Sequence, residues 1–323
     1  MTQFIILLLF AFIWHGESTI DLPFHTVTTV IYDNDDHRDV YTDEYLIALS
    51  HLGEIDLKGI ITTYAANDRE YRLFVKGRQD IVNKAAESGL TNLPHAMAGT
   101  NQRLARPASN RIEDTVPLDL PASRFILEQA QMATSANPII FVTGGQLTTI
   151  ADAYLLQPSI ADKIIVSGIF GVRQKDYNAG LDGWAWTIVL SRFRVFAVPI
   201  GPPGQRGTVY MKPPHVPKER IKSELPQTVP FFRWMFEKQH PSNPLPDEHD
   251  YDGQAAIPLA CPDYITQVKR WSVVEVDSEG ELVIKKDKNG KIYEAIDADQ
   301  GKATREFWRV LTSAANSLKT QGE

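Results

Sequence analysis

Short runs of β-branched and aliphatic residues recur along this chain, and most are followed by a stretch whose apolar positions return every three or four residues. Residues 27–32 (VTTVIY), 57–63 (LKGIITT), 95–98 (HAMA), 138–143 (PIIFVT), 163–168 (KIIVSG) and 194–199 (RVFAVP) read as strands, the first of them buried. Between them, residues 44–52, 72–86, 148–156 and 184–191 carry the helical period; in the first, Tyr45, Leu46, Ala48, Leu49 and Leu52 share one face. The alternation predicts an α/β fold, an open, mostly parallel, Rossmann-like sheet with helices on both faces. Connections in such a sheet are right-handed, and ligands gather beyond the carboxyl ends of its strands.

Beyond residue 200 the pattern changes. Residues 201–217 form a Pro/Gly-rich surface loop, and 218–238 read as helical, with Phe231, Phe232, Trp234 and Phe236. Residues 270–294 predict an antiparallel hairpin turning at 287–291 (DKNGK). Neither an internal repeat nor a long linker interrupts the chain, so residues 20–323 are expected to form a single domain. At the other end, residues 4–14 (FIILLLFAFIW) are eleven consecutive apolar residues. That is too short for a bilayer core, which takes about twenty residues, and fits a signal-peptide core. A leader over residues 1–19 is therefore expected, with the mature chain secreted or periplasmic and not stably inserted in a membrane.

Composition narrows the function classes. The 323 residues hold 33 Lys+Arg and 40 Asp+Glu, a formal net charge of −7, which argues against non-specific nucleic-acid or anionic-membrane binding. One cysteine, Cys261, excludes an intramolecular disulfide and a Cys-based zinc site.

The acidity is concentrated. Asp33, Asp35, Asp36, Asp39, Asp43 and Glu44 fall within twelve residues, directly after an apolar strand. So many hard oxygen donors suit Ca²⁺ or Mg²⁺, though an acidic loop also caps a helix favourably. Further polar segments follow at strand ends: Thr143-Gly144-Gly145-Gln146-Leu147-Thr148-Thr149, then Asp176-Tyr177-Asn178 with Asp182, then His249-Asp250-Tyr251-Asp252. In the first, a Gly pair frees the backbone for close approach.

In order and spacing these segments resemble the inosine–uridine nucleoside hydrolase family, over about residues 26–312, with 61–67 (ITTYAAN) as a further matching piece. The resemblance implies that family's fold, one bound Ca²⁺, and hydrolysis of the N-glycosidic bond of ribonucleosides, a reaction of purine and pyrimidine metabolism. It implies metal ligation by Asp35, Glu44 and Asp252 and by the backbone carbonyl of Thr148. Asp43, Asn67 and Asn178 would hold the ribose hydroxyls, assisted by Asp176. Asp35 would take the proton of a metal-bound water, and buried carboxylates would stabilise an oxocarbenium-like transition state. Relatives often form dimers or tetramers, so a homo-oligomer is among the expectations.

Several positions depart from the family pattern. The acidic pair is Asp-Glu and lies four residues further on; a competing register keeps the original spacing and makes Asp39 a metal ligand. Gln146 and Thr149 replace the usual Pro and Asn. Tyr251 replaces the His that serves the leaving base, so Tyr251 or His249 would supply that acid, or Trp184 or Trp186 would stack on the base. Two other readings remain open: a non-catalytic ribose- or nucleoside-binding protein, and a phosphatase with Asp33 or Asp35 as nucleophile. The phosphatase would also need a Lys and a Ser/Thr at later strand ends, and no convincing set is present.

Overall fold

The apolar runs become the strands of one sheet. A computed structural model describes residues 22–23, 29–37, 41–172, 177–199, 213–238, 249–276 and 282–320. The expected leader, Asp39, Asp176 and most of the 201–217 loop lie outside the described residues.

The first half alternates strands and helices: β1 (Thr29–Asn34), α1 (Thr42–His51), β2 (Asp56–Thr62), α2 (Asp68–Glu87) and β3 (His95–Ala98). After a long loop come α3 (Pro121–Met132), β4 (Ile139–Thr143), α4 (Thr148–Leu156) and β5 (Ile164–Gly168). Next are α5 (Tyr177–Leu181), α6 (Gly183–Arg192), β6 (Arg194–Ala197), α7 (Lys218–Glu224), α8 (Pro230–Glu237) and α9 (Gly253–Ala256). The C-terminal part is β7 (Ile265–Val276), β8 (Leu282–Lys286), β9 (Ile292–Ala298) and α10 (Gln300–Thr320).

Among the described residues, nine strands lie in the order β3-β2-β1-β4-β5-β6-β9-β7-β8. From β3 to β9 every pairing is parallel; β7 runs antiparallel to both β9 and β8. The open, mostly parallel α/β sheet is thus the one the alternation predicts. Chain order reverses between β1 and β4, where the connections on either side leave a crevice at the strand ends. Side chains alternate across β1: Val30 and Tyr32 enter one apolar layer with α1, α2, α8 and α10, and Ile31 enters the other with α3, α4 and α6. Helix α1 is buried on every side from Thr42 to Ser50, because α10 covers the face it turns from the sheet, with Tyr45 stacked on Phe307 at 5.5 Å.

Three expectations change. The single helix over 218–238 is two, since Pro226 and Pro230 each deny a backbone donor between them. Helix α3 was not anticipated, although Ala122, Ile126 and Ala130 bury one face at helical spacing. The third is the hairpin. The strands on either side of residues 287–291 are not partners, because β7 lies between them. The turn wraps the β7 backbone instead: Asp287 N donates to Arg270 O, and Arg270 donates back to Gly290 O. Gly290 is pressed so closely on Trp271 that a Cβ there would overlap its carbonyl.

Candidate functional site

Strand β1 extends two residues past its apolar run, and those two residues begin the site. Asp33 pairs in register with Thr143 of β4, and Asn34 with Thr62 of β2. The ladder thereby carries polar side chains to the carboxyl edge on both faces.

Asp33 is buried, and its Oδ2 accepts from Thr63 Oγ1 at 2.9 Å, itself 2.6 Å from Thr149 Oγ1. Asn34 Nδ2 donates to Asp252 Oδ2 and to Tyr32 Oη, each at 2.5 Å, and its Oδ1 accepts from Asp35 N at 2.8 Å. Half-buried Asp35 accepts from Asp36 N at 2.6 Å. Across from them is Gly144, whose missing side chain matters: a Cβ would overlap both Asp252 Oδ2 and Asn34 Oδ1. The Gly144 carbonyl accepts from Asn178 Nδ2 at 2.6 Å. Segments following β1 and β4, the helix α5 and the residue opening α9 thus meet around one glycine.

Burial raises several of these carboxyls. Asp33 is pushed up to about 7 and Asp35 to about 6, chiefly by desolvation, with the charge of Arg78 pulling both back. Glu44 rises to about 7 and Asp250 to about 6 for the same main reason, each opposed by Lys238 among other groups.

Two buried cations compensate this acidity. Arg78, on the inward face of α2, donates from Nε to Asp43 Oδ1 at 3.1 Å. Its Nη1 bonds Asn34 O at 3.1 Å, Asp35 O at 2.6 Å and Thr62 Oγ1 at 3.2 Å. Lys238, just past α8, bonds Glu44 Oε2 and His37 O, each at 2.9 Å. Neither residue stands out by local motif. Arg78 was nevertheless legible in part, because it falls on the α2 stripe with Phe74, Ile81, Val82 and Ala85. Asp250, another group without an assigned role in the sequence, anchors the start of α1 and α9: its Oδ1 accepts from Thr42 Oγ1 at 2.7 Å, Tyr41 N at 3.3 Å and Gly253 N at 3.2 Å.

The remaining expected residues are distributed as follows. Asn67 caps α2, its Oδ1 accepting from Arg69 N and Glu70 N. Thr148 opens α4 and donates its hydroxyl to Asp182 Oδ2 at 2.7 Å. Gln146 bonds that same hydroxyl and accepts from Ala65 N, tying the segments after β4 and β2 together. His249 forms a strand bridge with His215, their rings 5.1 Å apart, and Tyr251 lies on its other side at 6.2 Å. Trp184 and Trp186 do not present a stacking face for a base. Both are buried in the layer under α6, and Trp184 Nε1 is held by Thr115 Oγ1 at 2.9 Å.

The ligand set implied for calcium is not assembled in this arrangement. Calcium takes six to eight oxygen donors. Here one oxygen of Glu44 holds an ammonium, and an oxygen of Asp252 holds the Asn34 amide. Among the described residues, no three Asp, Glu, His or Cys side chains converge as a metal site. Among the described residues the donors therefore do not assemble as a site for that ion, and the chemistry below uses none.

No protein-family model matches the chain, and no curated protein sequence matches it. Solved structures do. A plant nucleoside hydrolase aligns with a TM-score of 0.61 and 15% identity over 88% of this chain and 99% of its own. The purine-preferring ribonucleoside hydrolase from Gardnerella vaginalis gives 0.60 and 15% over 90% and 100%. The inosine–uridine preferring nucleoside hydrolase from Bacillus anthracis gives 0.57 and 14% over 88% and 100%. At these identities the likeness is one of fold, and it spans nearly the whole chain.

Proposed function

We propose that this chain, which shares its fold with nucleoside hydrolases, is itself a hydrolase of N-ribosyl bonds acting on ribonucleosides or related small ribosides. The observation that carries the reading is the meeting of Asn34, Asn178 and Asp252 at Gly144, with Asp33 and Asp35 flanking Asn34 in the chain, at the switch point of the sheet.

In this reading Asp35 is the base. Half-buried and titrating near 6, it is ionised at neutral pH yet basic enough to take a proton from an attacking water. Attack at C1′ develops positive charge on the sugar ring, and the carboxylates of Asp33 and Asp252 stabilise it in a desolvated crevice. Asn67 and Asn178 bind ribose hydroxyls through their side-chain amides; Asp43, expected to join them, is instead buried against Arg78. Tyr251 or His249 protonates the departing base. Calcium, implied by the family resemblance, has no part in this reading, because Lys238 holds Glu44. Export also belongs to it, supported by the apolar run over residues 4–14.

The test is release of reducing sugar from a panel of purine and pyrimidine nucleosides. Wild type should turn over at least one, and Asp35→Asn should lose about 10²–10⁴-fold in rate with its melting temperature unchanged. Folded protein that releases no sugar from any nucleoside refutes the reading. One observation favours a second: Arg78 and Lys238 tie down the two acids that open α1. A ribose- or nucleoside-binding protein would show nucleosides raising the melting temperature without turnover.

A further inference from the structure

Asp43 and Glu44 are adjacent, both side chains have no exposed surface, and each faces a different protein cation. Arg78 reaches Asp43 from α2. Lys238 reaches Glu44 with only 2% of its side chain exposed. The ammonium is fully provided for: a carboxylate oxygen and the His37 carbonyl at 2.9 Å, and the Tyr41 ring with its centroid at 4.8 Å. It also lies within electrostatic reach of Asp250, whose carboxylate is fixed by the residues that open α1 and α9. A divalent ion on Glu44 Oε2 would have to displace this ammonium from a buried pair, and one on the other oxygen would lie beside it, cation against cation. Losing one partner of a buried pair is strongly unfavourable.

We propose that Arg78 and Lys238 are the permanent counter-cations of the acidic cluster, and that the chain folds and binds its ligand with no divalent metal. The inference goes beyond the hydrolase reading and does not depend on it.

The full chain, purified without chelator, is assayed for metal content and for melting temperature in EDTA, CaCl₂ and MgCl₂. Wild type should carry no stoichiometric metal and melt at one temperature in all three. One equivalent of bound calcium, or a rise of about 4 °C or more on adding calcium, overturns the proposal. Lys238→Met strands the buried Glu44 charge and should lower the melting temperature sharply in EDTA; a variant as stable as wild type also overturns it. If Lys238→Met does not fold, Lys238→Met/Glu44→Gln removes both charges and should recover the fold. A double variant no better than the single one counts against the proposal in the same way. These readouts do not involve turnover. Failure of the hydrolase reading appears as a folded, metal-free protein that releases no sugar. Failure of this inference appears as calcium-dependent melting, whether or not sugar is released.

Discussion

Replacing Arg78 with Met tests how the site is held together. The guanidinium is 1% exposed and its partner Asp43 has no exposed side-chain surface. Met retains most of the packing volume, so the loss is electrostatic. An uncompensated buried carboxylate costs about 3–5 kcal/mol. The Asp35 carbonyl also loses its 2.6 Å bond, worth roughly 1 kcal/mol, whereas the Asn34 carbonyl keeps the bond from Thr63 N. The sum, about 4–6 kcal/mol, is a large share of a typical stability of about 5–15 kcal/mol. Melting followed by circular dichroism should show a fall of about 6–10 °C. Arg78→Met/Asp43→Asn should recover much of it, because the second change removes the stranded charge. A single variant melting within about 2 °C of wild type would show that Arg78 is not what neutralises Asp43, and the counter-cation account would go with it.

Three further outcomes are expected. Asp33, Glu44 and Asp250 titrate above the ordinary carboxylate range in the fold, so the folded state binds more protons than the unfolded chain between about pH 4 and 7. Stability contributed by these groups is therefore greatest at the acidic end and declines as pH rises; a melting temperature that climbs from pH 5 to 7.5 would contradict this. Asp152 is buried and accepts from the backbone N–H groups of Leu118, Asp119 and Leu120, so Asp152→Ala should cost about 3 kcal/mol in urea unfolding, and a loss under about 1 kcal/mol would refute that role. Finally, expression with export should yield a chain beginning near residue 20 on N-terminal sequencing; an intact Met1 on the exported protein would dismiss the leader.

The central strands of the parallel core were legible because they are short apolar runs with both faces covered, as Ile139–Thr143 and Ile164–Gly168 show at full burial. Local patterning failed where structure depends on distant partners. Nothing between residues 287 and 291 reveals that its flanking strands are separated by β7, because that is set by pairing with Arg270 and Trp271. The site divides along the same line. Asp33, Asp35 and Asp252 could be picked out as acids at strand and helix ends, but the cations opposing Asp43 and Glu44 come from positions 35 and 194 residues away. Arg78 lies on the apolar stripe of α2, which marks it as inward but not what it meets, and Lys238 follows an aromatic helix with nothing to mark it as buried. Proximity in the chain exposes the acidity; only the fold exposes what balances it.

The placement of β9 has a consequence for biosynthesis. It joins β6 on one side and β7 on the other, so the parallel part of the sheet ends in an open edge until residues 292–298 have emerged. A nascent chain paused before that point would present the far edge of β6 unpaired, the kind of surface that recruits other copies of itself. Safe passage of this protein through synthesis therefore turns on how soon its last strand arrives, and a chaperone that shields the β6 edge would act in that interval.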